Sequence, residues 1–495
     1  MLQVGHSVNA RLFLKMMKQK LILVVAALFL LLAACKKGEK LPNALPDTHI
    51  SITQINLSGD DRLRSEVTLY WYGADEDGWV EGYDISMNGT DWSYVTTQDS
   101  TFSFSLPFGS DTTDIDFYVR AIDNEDGVDP SPAYLKIPIK NTAPTAIFDS
   151  IQTLADTSFI VTTAFLDVQD LDGIENVDSI FFKINNGGWF GLDAETRVIT
   201  IVPDDPTVNG TVGAQIFKDP AAILVSGGIN GLNLGGDNTF YLKARDLAGS
   251  ESSIDTSKVV FVKRKSTDLL VIDVHPGGLS PSPEEVYAQT LGNVEPNYDR
   301  IDLRSNGGAN MPRLWSPTFS TFINFYPRLF WYGDASDEGL TVLEDASGAI
   351  QAYLNQGGKI LINTSFPSSF DNASVLQEYT PLDSVSTSSG TARLPTGNLV
   401  MPTAAYAGTF DTLEASAFVG RATPMYAKST SEVILTGDFS ISGGWVGSDV
   451  VCAKLVNGAG NTNVVLVTVE LHQLFARPAA LENFFNGILL NEFNW

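Results

Sequence analysis

Between His49 and about Lys140, apolar and polar residues alternate in short runs broken by Asp, Gly, Asn and Pro. Val67-Thr68-Leu69-Tyr70-Trp71, Gly82-Tyr83-Asp84-Ile85-Ser86 and Asp116-Phe117-Tyr118-Val119-Arg120-Ala121 have the period of two that a half-buried strand requires. Strands of this length and spacing predict an all-β sandwich over residues 48–140. Asn141-Thr142-Ala143-Pro144 reads as a linker, after which the pattern repeats over residues 143–265. Trp71-Tyr72-Gly73-Ala74-Asp75-Glu76-Asp77-Gly78 is echoed by Phe165-Leu166-Asp167-Val168-Gln169-Asp170-Leu171-Asp172-Gly173. Phe117-Tyr118-Val119-Arg120-Ala121-Ile122-Asp123 returns as Phe240-Tyr241-Leu242-Lys243-Ala244-Arg245-Asp246. The second copy carries an insertion at about 194–237, rich in Gly, Asn and Pro.

After Lys265 the pattern changes. Asp268 to Val274 is a continuous apolar run, as expected of a strand covered on both faces in a parallel sheet. Tyr298–Leu303, Arg328–Gly333, Lys359–Ser365, Glu432–Thr436 and Asn463–Val469 read as further strands. Helical patterns run from Ala349 to Asn355, ending at Gly357-Gly358, and from Ala480 to Phe493. This alternation predicts an α/β domain over residues 266–495. The expected fold class is therefore multidomain: two all-β sandwiches followed by an α/β three-layer domain.

At the other end, Met17-Lys18-Gln19-Lys20 precedes the apolar run Leu21 to Leu32, then Ala33-Ala34-Cys35 and Lys36-Lys37. Twelve apolar residues are too few to span a bilayer comfortably and read as the core of a signal peptide, residues 1–34, with Met16 or Met17 as the expected start. Leu32-Ala33-Ala34-Cys35 resembles the lipobox of bacterial lipoproteins. That resemblance implies lipidation at Cys35, a tether over residues 35–47, and a lipoprotein of the outer membrane, periplasmic or surface-exposed.

Removing the signal leaves 27 basic against 58 acidic residues, a net charge of about −31. A surface of that sign argues against a nucleic-acid partner. Cys35 and Cys452 are the two cysteines; with Cys35 lipidated, no disulfide framework is expected, and Cys452, in an apolar run, reads as a buried thiol.

The repeated segments, with an aromatic-alternating strand ending in Ala-x-Asp before Gly, resemble the immunoglobulin-like and fibronectin type III domains of bacterial surface proteins. The Trp331-Tyr332-Gly333-Asp334 strand end, the Tyr353-to-Leu361 helix-to-strand passage and the late strand reaching His472 resemble the class I glutamine amidotransferase-like fold, which implies a flavodoxin-like sheet. Active members of that family carry a cysteine on a glycine-flanked turn where this chain reads Thr364-Ser365-Phe366-Pro367-Ser368. Their His-x-Glu relay falls on His472-Gln473-Leu474. The resemblance thus implies a degenerate member.

Two kinds of chemistry stay open. Ser365 as nucleophile, His472 as base, Glu470 as orienting carboxylate and Gly277-Gly278 as an oxyanion loop would make a serine hydrolase; His275 and His472 also read as structural, His275 in a loop. Alternate carboxylates before a glycine turn make Asp75, Asp77, Asp170 and Asp172 candidate calcium ligands, with Asp123 and Asp246 as distant additions, although Asp-Gly is also a plain turn. Trp79, Trp92, Trp189 and the Phe322–Trp331 stretch are candidate recognition aromatics or, as one matched tryptophan per copy suggests, sandwich core. Asp149-Ser150-Ile151, Asp178-Ser179-Ile180 and Asp383-Ser384-Val385 resemble O-glycosylation acceptors of Bacteroidota. The expected function is a non-catalytic, membrane-anchored binding or scaffolding protein toward a glycan, a peptide or an envelope protein. The alternatives are the hydrolase and a structural part of an envelope assembly.

Overall fold

A computed structural model describes residues 15–18, 20, 41–51, 62–63, 66–104, 106–107, 110–277, 282–304, 311–458 and 460–493. Cys35, the apolar run before it and Gly278 lie outside these. No helix among the described residues is long and apolar enough to cross a membrane. The chain divides into two compact units, one of residues 1–103 and 112–140, the other of residues 104–111 and 141–495.

Among the described residues, the first unit is a sandwich of seven strands. One sheet orders β1 (Asp47–Ile50), β2 (Glu66–Ala74) and β5 (Asp99–Ser103); the other orders β4 (Ser93–Val95), β3 (Val80–Ser86), β6 (Thr112–Asp123) and β7 (Ala133–Lys140). All pairs within the two sheets are antiparallel. The alternation read from the sequence turns Leu69, Trp71, Tyr83, Phe117, Val119 and Ala121 inward. The core tryptophan is Trp71, 5.8 Å from Phe117 between ring centres. Trp92 and Trp189 instead lie outside the core, correcting the expectation drawn from their matched positions. Trp92 lies under Arg120, 4.0 Å from its guanidinium carbon, and Trp189 under Lys183 and Lys243 at 5.0 and 5.1 Å. Arg120 and Lys243 reach these rings from two strands away in the same sheet, and Lys183 from the adjacent strand, so the repeated element is a surface cation–π pair.

The second unit begins with the repeat. Here β8 (Thr145–Phe148) pairs β9 (Thr162–Gln169), and β10 (Val177–Ile184) lies between β11 (Phe190–Asp193) and β15 (Phe240–Asp246). The insertion is itself β-structure. Its β12 (Val198–Pro203), β13 (Gly210–Lys218) and β14 (Ile229–Leu234) extend the β8–β9 sheet outward, and Ile199, Ile201, Ile216 and Leu232 close its core.

Among the described residues after Lys265, a nine-stranded sheet dominates, with a two-stranded sheet (Leu382–Val385, Met425–Ala427) and a three-stranded one (Val419–Ala422, Thr391–Leu394, Ser440–Ser442) beside it. Five of its strands are parallel, in the order β17 (Asp299–Asp302), β16 (Leu269–Asp273), β18 (Arg328–Tyr332), β19 (Lys359–Asn363), β23 (Thr462–Val467). The sheet then continues antiparallel through β22 (Val450–Val456), β21 (Glu432–Gly437) and β20 (Leu399–Pro402) to a short last strand, Leu413–Glu414. Buried residues on both faces explain the unbroken apolar runs: Leu270, Ile272, Trp331 and Ile362 enter one core cluster, and Leu269, Val271, Phe330 and Leu361 the other. Helices α1 (Pro283–Val294), α2 (Asp337–Asp345), α3 (Ser347–Asn355) and α4 (Pro478–Asn486) cover the faces; α1 and α4 contribute Val286, Leu291, Leu481 and Phe485 to the second cluster, and α2 and α3 contribute Leu343 and Ile350 to the first.

The boundary expected near residue 265 separates two architectures, each with a core of its own, that are joined by a shared buried seam. Ile160 and Val161 of the second sandwich belong to the same buried cluster as Ile272 and Trp331.

Candidate functional site

The five parallel strands run from their amino to their carboxyl ends in one direction, and the chain order reverses beside β16. β17 lies on one side of it and β18 on the other. In open α/β sheets, ligand sites form outside the carboxyl ends at such a reversal, because successive loops diverge there and leave a crevice. His275 follows β16, Asp334 follows β18, Thr364 and Ser365 follow β19, and Glu470 and His472 follow β23.

Three of these side chains converge. Glu470 Oε2 lies 3.6 Å from His472 Nε2 and 3.9 Å from His275 Nε2. The imidazoles meet edge to face, 5.5 Å between centres. All three residues are buried, and His472 is 4% exposed. Their placement comes from β19. Asn363 Nδ2 donates to the carbonyls of Val469 (2.7 Å) and Val467 (3.3 Å), and its Oδ1 accepts from Leu471 N (2.9 Å) and Tyr287 Oη (2.7 Å). His472 N in turn donates to Tyr287 Oη at 3.2 Å. One buried amide thus ties the β23 turn to β19 and α1.

Burial dominates the electrostatics. It lifts the Glu470 carboxyl to about 7, with the nearby Asp334 charge adding to the rise and bonds from Gln473 and the Ala335 backbone opposing it. It pushes the His472 imidazolium down to about 3, helped by His275. His275 is also lowered by burial, against the pull of Asp334 and Asp273. Both imidazoles are therefore neutral at pH 7. His275 Nδ1 accepts from Gly277 N at 3.1 Å, which places the ring proton on Nε2, facing Glu470. His472 Nε2 has no hydrogen-bond partner among the described residues. Below His275, Asp273 accepts from His275 N (2.9 Å) and Arg300 (2.5 Å), and a cleft of about 100 Å³ lined by Asp273, His275, Gly277 and Arg300 adjoins the cluster.

Of the sequence candidates, Glu470 and His472 come together. Ser365 Oγ instead donates to the carbonyl of Thr468 at 3.2 Å, with no hydrogen bond to His472 Nε2. Of the proposed oxyanion pair, Gly277 is described and Gly278 is not. His275, read as a loop residue, is a full member of the cluster; its place two residues beyond the buried strand Leu269–Asp273 was the signal that could have found it. Cys452 is fully enclosed in β22 and burial raises its thiol far above its ordinary value, which leaves an inert apolar side chain.

The carboxylate loops lie at equivalent places in the two sandwiches. Asn43 Nδ2 donates to Asp123 at 2.7 Å and Ala44 N to Asp77 at 3.2 Å. In the repeat, Asn141 Nδ2 donates to Asp246 at 2.5 Å and Thr142 N to Asp172 at 2.7 Å. Asp170 Oδ2 and Asp172 Oδ1 are buried without a hydrogen-bond partner among the described residues. Burial lifts Asp170 to about 6, and the charges of Asp172, Asp246 and Glu175 add to the rise. Trp79 is exposed.

No family model matches the chain, and no curated protein matches it in sequence. Among solved structures, it is similar to fibronectin(III)-like modules of Clostridium thermocellum CbhA, at 13% identity and a TM-score of 0.17, over 44% of this chain and 94% of that one. A two-domain fibronectin type III segment of chicken tenascin matches at 10% identity and a TM-score of 0.20, over 44% and 98%. A fibronectin-III array of RIM-binding protein matches at 10% and 0.14, over 43% and 97%.

Proposed function

We propose that this chain is a membrane-anchored extracytoplasmic lipoprotein, lipidated at Cys35, that binds a glycan, a peptide or an envelope protein without transforming it. In this reading the two sandwiches are immunoglobulin-like spacer and adhesive modules on an outer-membrane anchor. They carry a flavodoxin-like domain of the amidotransferase kind that has lost its chemistry. The observation that carries the non-catalytic half is the state of Ser365 and His472. A serine nucleophile needs a base within hydrogen-bond reach, and Ser365 Oγ is bonded to the Thr468 carbonyl instead. A general base works best with a proton affinity near the operating pH, and an imidazole held down to about 3 takes a proton from serine poorly. The contact of Glu470 with His472 favours the hydrolase alternative, but it orients a base that has no nucleophile.

A fluorophosphonate probe separates the two readings. The expected result is no labelling of the full chain, and no difference between wild type and Ser365→Ala. Stoichiometric labelling lost in Ser365→Ala overturns the non-catalytic reading.

A further inference from the structure

We propose that His275, Glu470 and His472 bind a divalent transition cation of the zinc type. This goes beyond the binding reading above and does not depend on it. Two imidazole nitrogens and one carboxylate suit a borderline-soft ion, whereas calcium and magnesium take oxygen alone. The geometry is close to that of a loaded site. Donors around a tetrahedral ion at about 2.0–2.2 Å stand roughly 3.3–3.6 Å apart, and here the carboxylate oxygen stands 3.6 and 3.9 Å from the two ring nitrogens. A contraction of a few tenths of an ångström brings the carboxylate oxygen to the ligand spacing from both nitrogens, and one donor atom of each of the three residues already lies within 4.8 Å of the others.

The second observation is His472 Nε2. A polar atom buried with no partner among the described residues is costly, and this one points at the carboxylate that would share the ion. The cation satisfies that nitrogen. Its neighbours are already tied down, since Asn363 and Tyr287 hold the backbone on either side of Glu470 and His472. One local change accompanies loading. His275 Nε2 gives up its proton to solvent, Nδ1 becomes the protonated nitrogen, and the Gly277 amide that now donates to it turns away. Gly277 has φ +77°, a conformation that glycine enters and leaves at little cost. Three protein donors leave a fourth position for water or a ligand group.

Titration of the chelator-treated full chain in detergent with Zn²⁺ tests the proposal by calorimetry, and Co²⁺ serves as an optical reporter. The expected result is one equivalent bound per chain, a visible spectrum of tetrahedral cobalt without thiolate bands, and at least a tenfold loss of affinity in His275→Gln and in His472→Gln. Circular dichroism establishes that the variants are folded, and Cys452→Ala, which lies outside the site, keeps wild-type affinity. Absence of a stoichiometric site in the wild type, an octahedral cobalt spectrum, or folded variants that bind as tightly as wild type overturns it.

A different observation carries a second site. We infer that Asp170 and Asp172 bind calcium at the end of the second sandwich. Asp172 is 0% exposed; its Oδ2 holds Thr142 N, while its Oδ1 is buried with no partner, as is Oδ2 of Asp170. Asp170 Oδ1 accepts from Asp172 N at 2.8 Å, which fixes the two carboxylates on one turn before Gly173. Two buried carboxylate oxygens without a hydrogen-bond partner, carried on one turn two residues apart, suit a hard cation with oxygen ligands. Calorimetric titration of the full chain with Ca²⁺, repeated on Asp172→Asn, reads this out. Binding in the wild type, weakened at least tenfold in the folded variant, is expected. No binding to a site that Asp172→Asn removes, or equal binding by the variant, overturns it.

Discussion

Glu470→Gln is expected to make the metal-free protein more stable than wild type at pH 8 while changing little at pH 5. The sign follows from linkage. Folding raises this carboxyl from 4.5 to about 7, so the folded state holds its proton over a range where the unfolded chain has released it. The stability that the protonated carboxyl contributes is fully present below pH 4.5 and is lost as pH rises through 7. A difference of that size amounts to roughly 3 kcal/mol once both states are ionised. A glutamine has no charge to desolvate, and its amide can donate to the unpartnered His472 Nε2. Urea unfolding in the presence of a chelator, at pH 5 and pH 8, measures the effect. A gain confined to pH 8 agrees with the buried carboxyl; an equal change at both values, or a loss at pH 8, would contradict it. His472 shifts the other way. Its proton affinity drops on folding to about 3, so its contribution is present above pH 6.5 and fades as pH falls toward 3.

The largest stability loss is expected from Trp331→Ala. This side chain sits on β18, the second of the parallel strands in chain sequence to flank β16, and is 0% exposed. It meets Phe319 edge on at 6.4 Å between ring centres and shares its cluster with Ile160, Ile272 and Ile362. Truncating a fully packed tryptophan removes its transfer free energy and leaves a cavity that neighbours on a rigid sheet fill poorly, at a cost of about 3–5 kcal/mol. Trp79→Ala removes an exposed ring and should fall within about 0.5 kcal/mol. Denaturant melts of the two variants side by side check the contrast. Similar losses for both, or a loss near zero for Trp331→Ala, would mean that the packing described around β18 is wrong.

The strands were the most legible part of this chain, because each carries its period in its own residues. β16, β18, β19 and β23 all lie within a residue or two of the apolar runs that announced them. The helix α1 was missed, although Ser282 and Glu285 form a capping box, with Ser282 Oγ accepting from Glu285 N and Ser282 N donating back to the Glu285 carboxylate. Its apolar residues, Val286, Tyr287 and Leu291, are too sparse to show a stripe by themselves. The antiparallel half of the nine-stranded sheet was partly hidden for a different reason. Leu399–Pro402 contains a proline and is too short for a period to register.

The candidate site was half legible. Glu470 and His472 are two residues apart and were singled out together, whereas His275 lies almost two hundred residues earlier. Only the parallel order of β16, β18, β19 and β23 brings their carboxyl ends to one edge of the sheet, and strand order is not a local property of sequence. The surface tryptophans misled for a related reason. A matched position in two repeats fixes an equivalent place in the fold, but not which side of a sheet it faces.

Because Ile160 and Val161 are set into the same cluster as Trp331, there is no swivel at residue 265. Lys263 N donates to Ser158 O, and Lys265 N to Pro206 O, so the connecting strand is stitched to the sandwich up to the start of the parallel sheet. Any load applied at the crevice beside β16 passes into the second sandwich without slack.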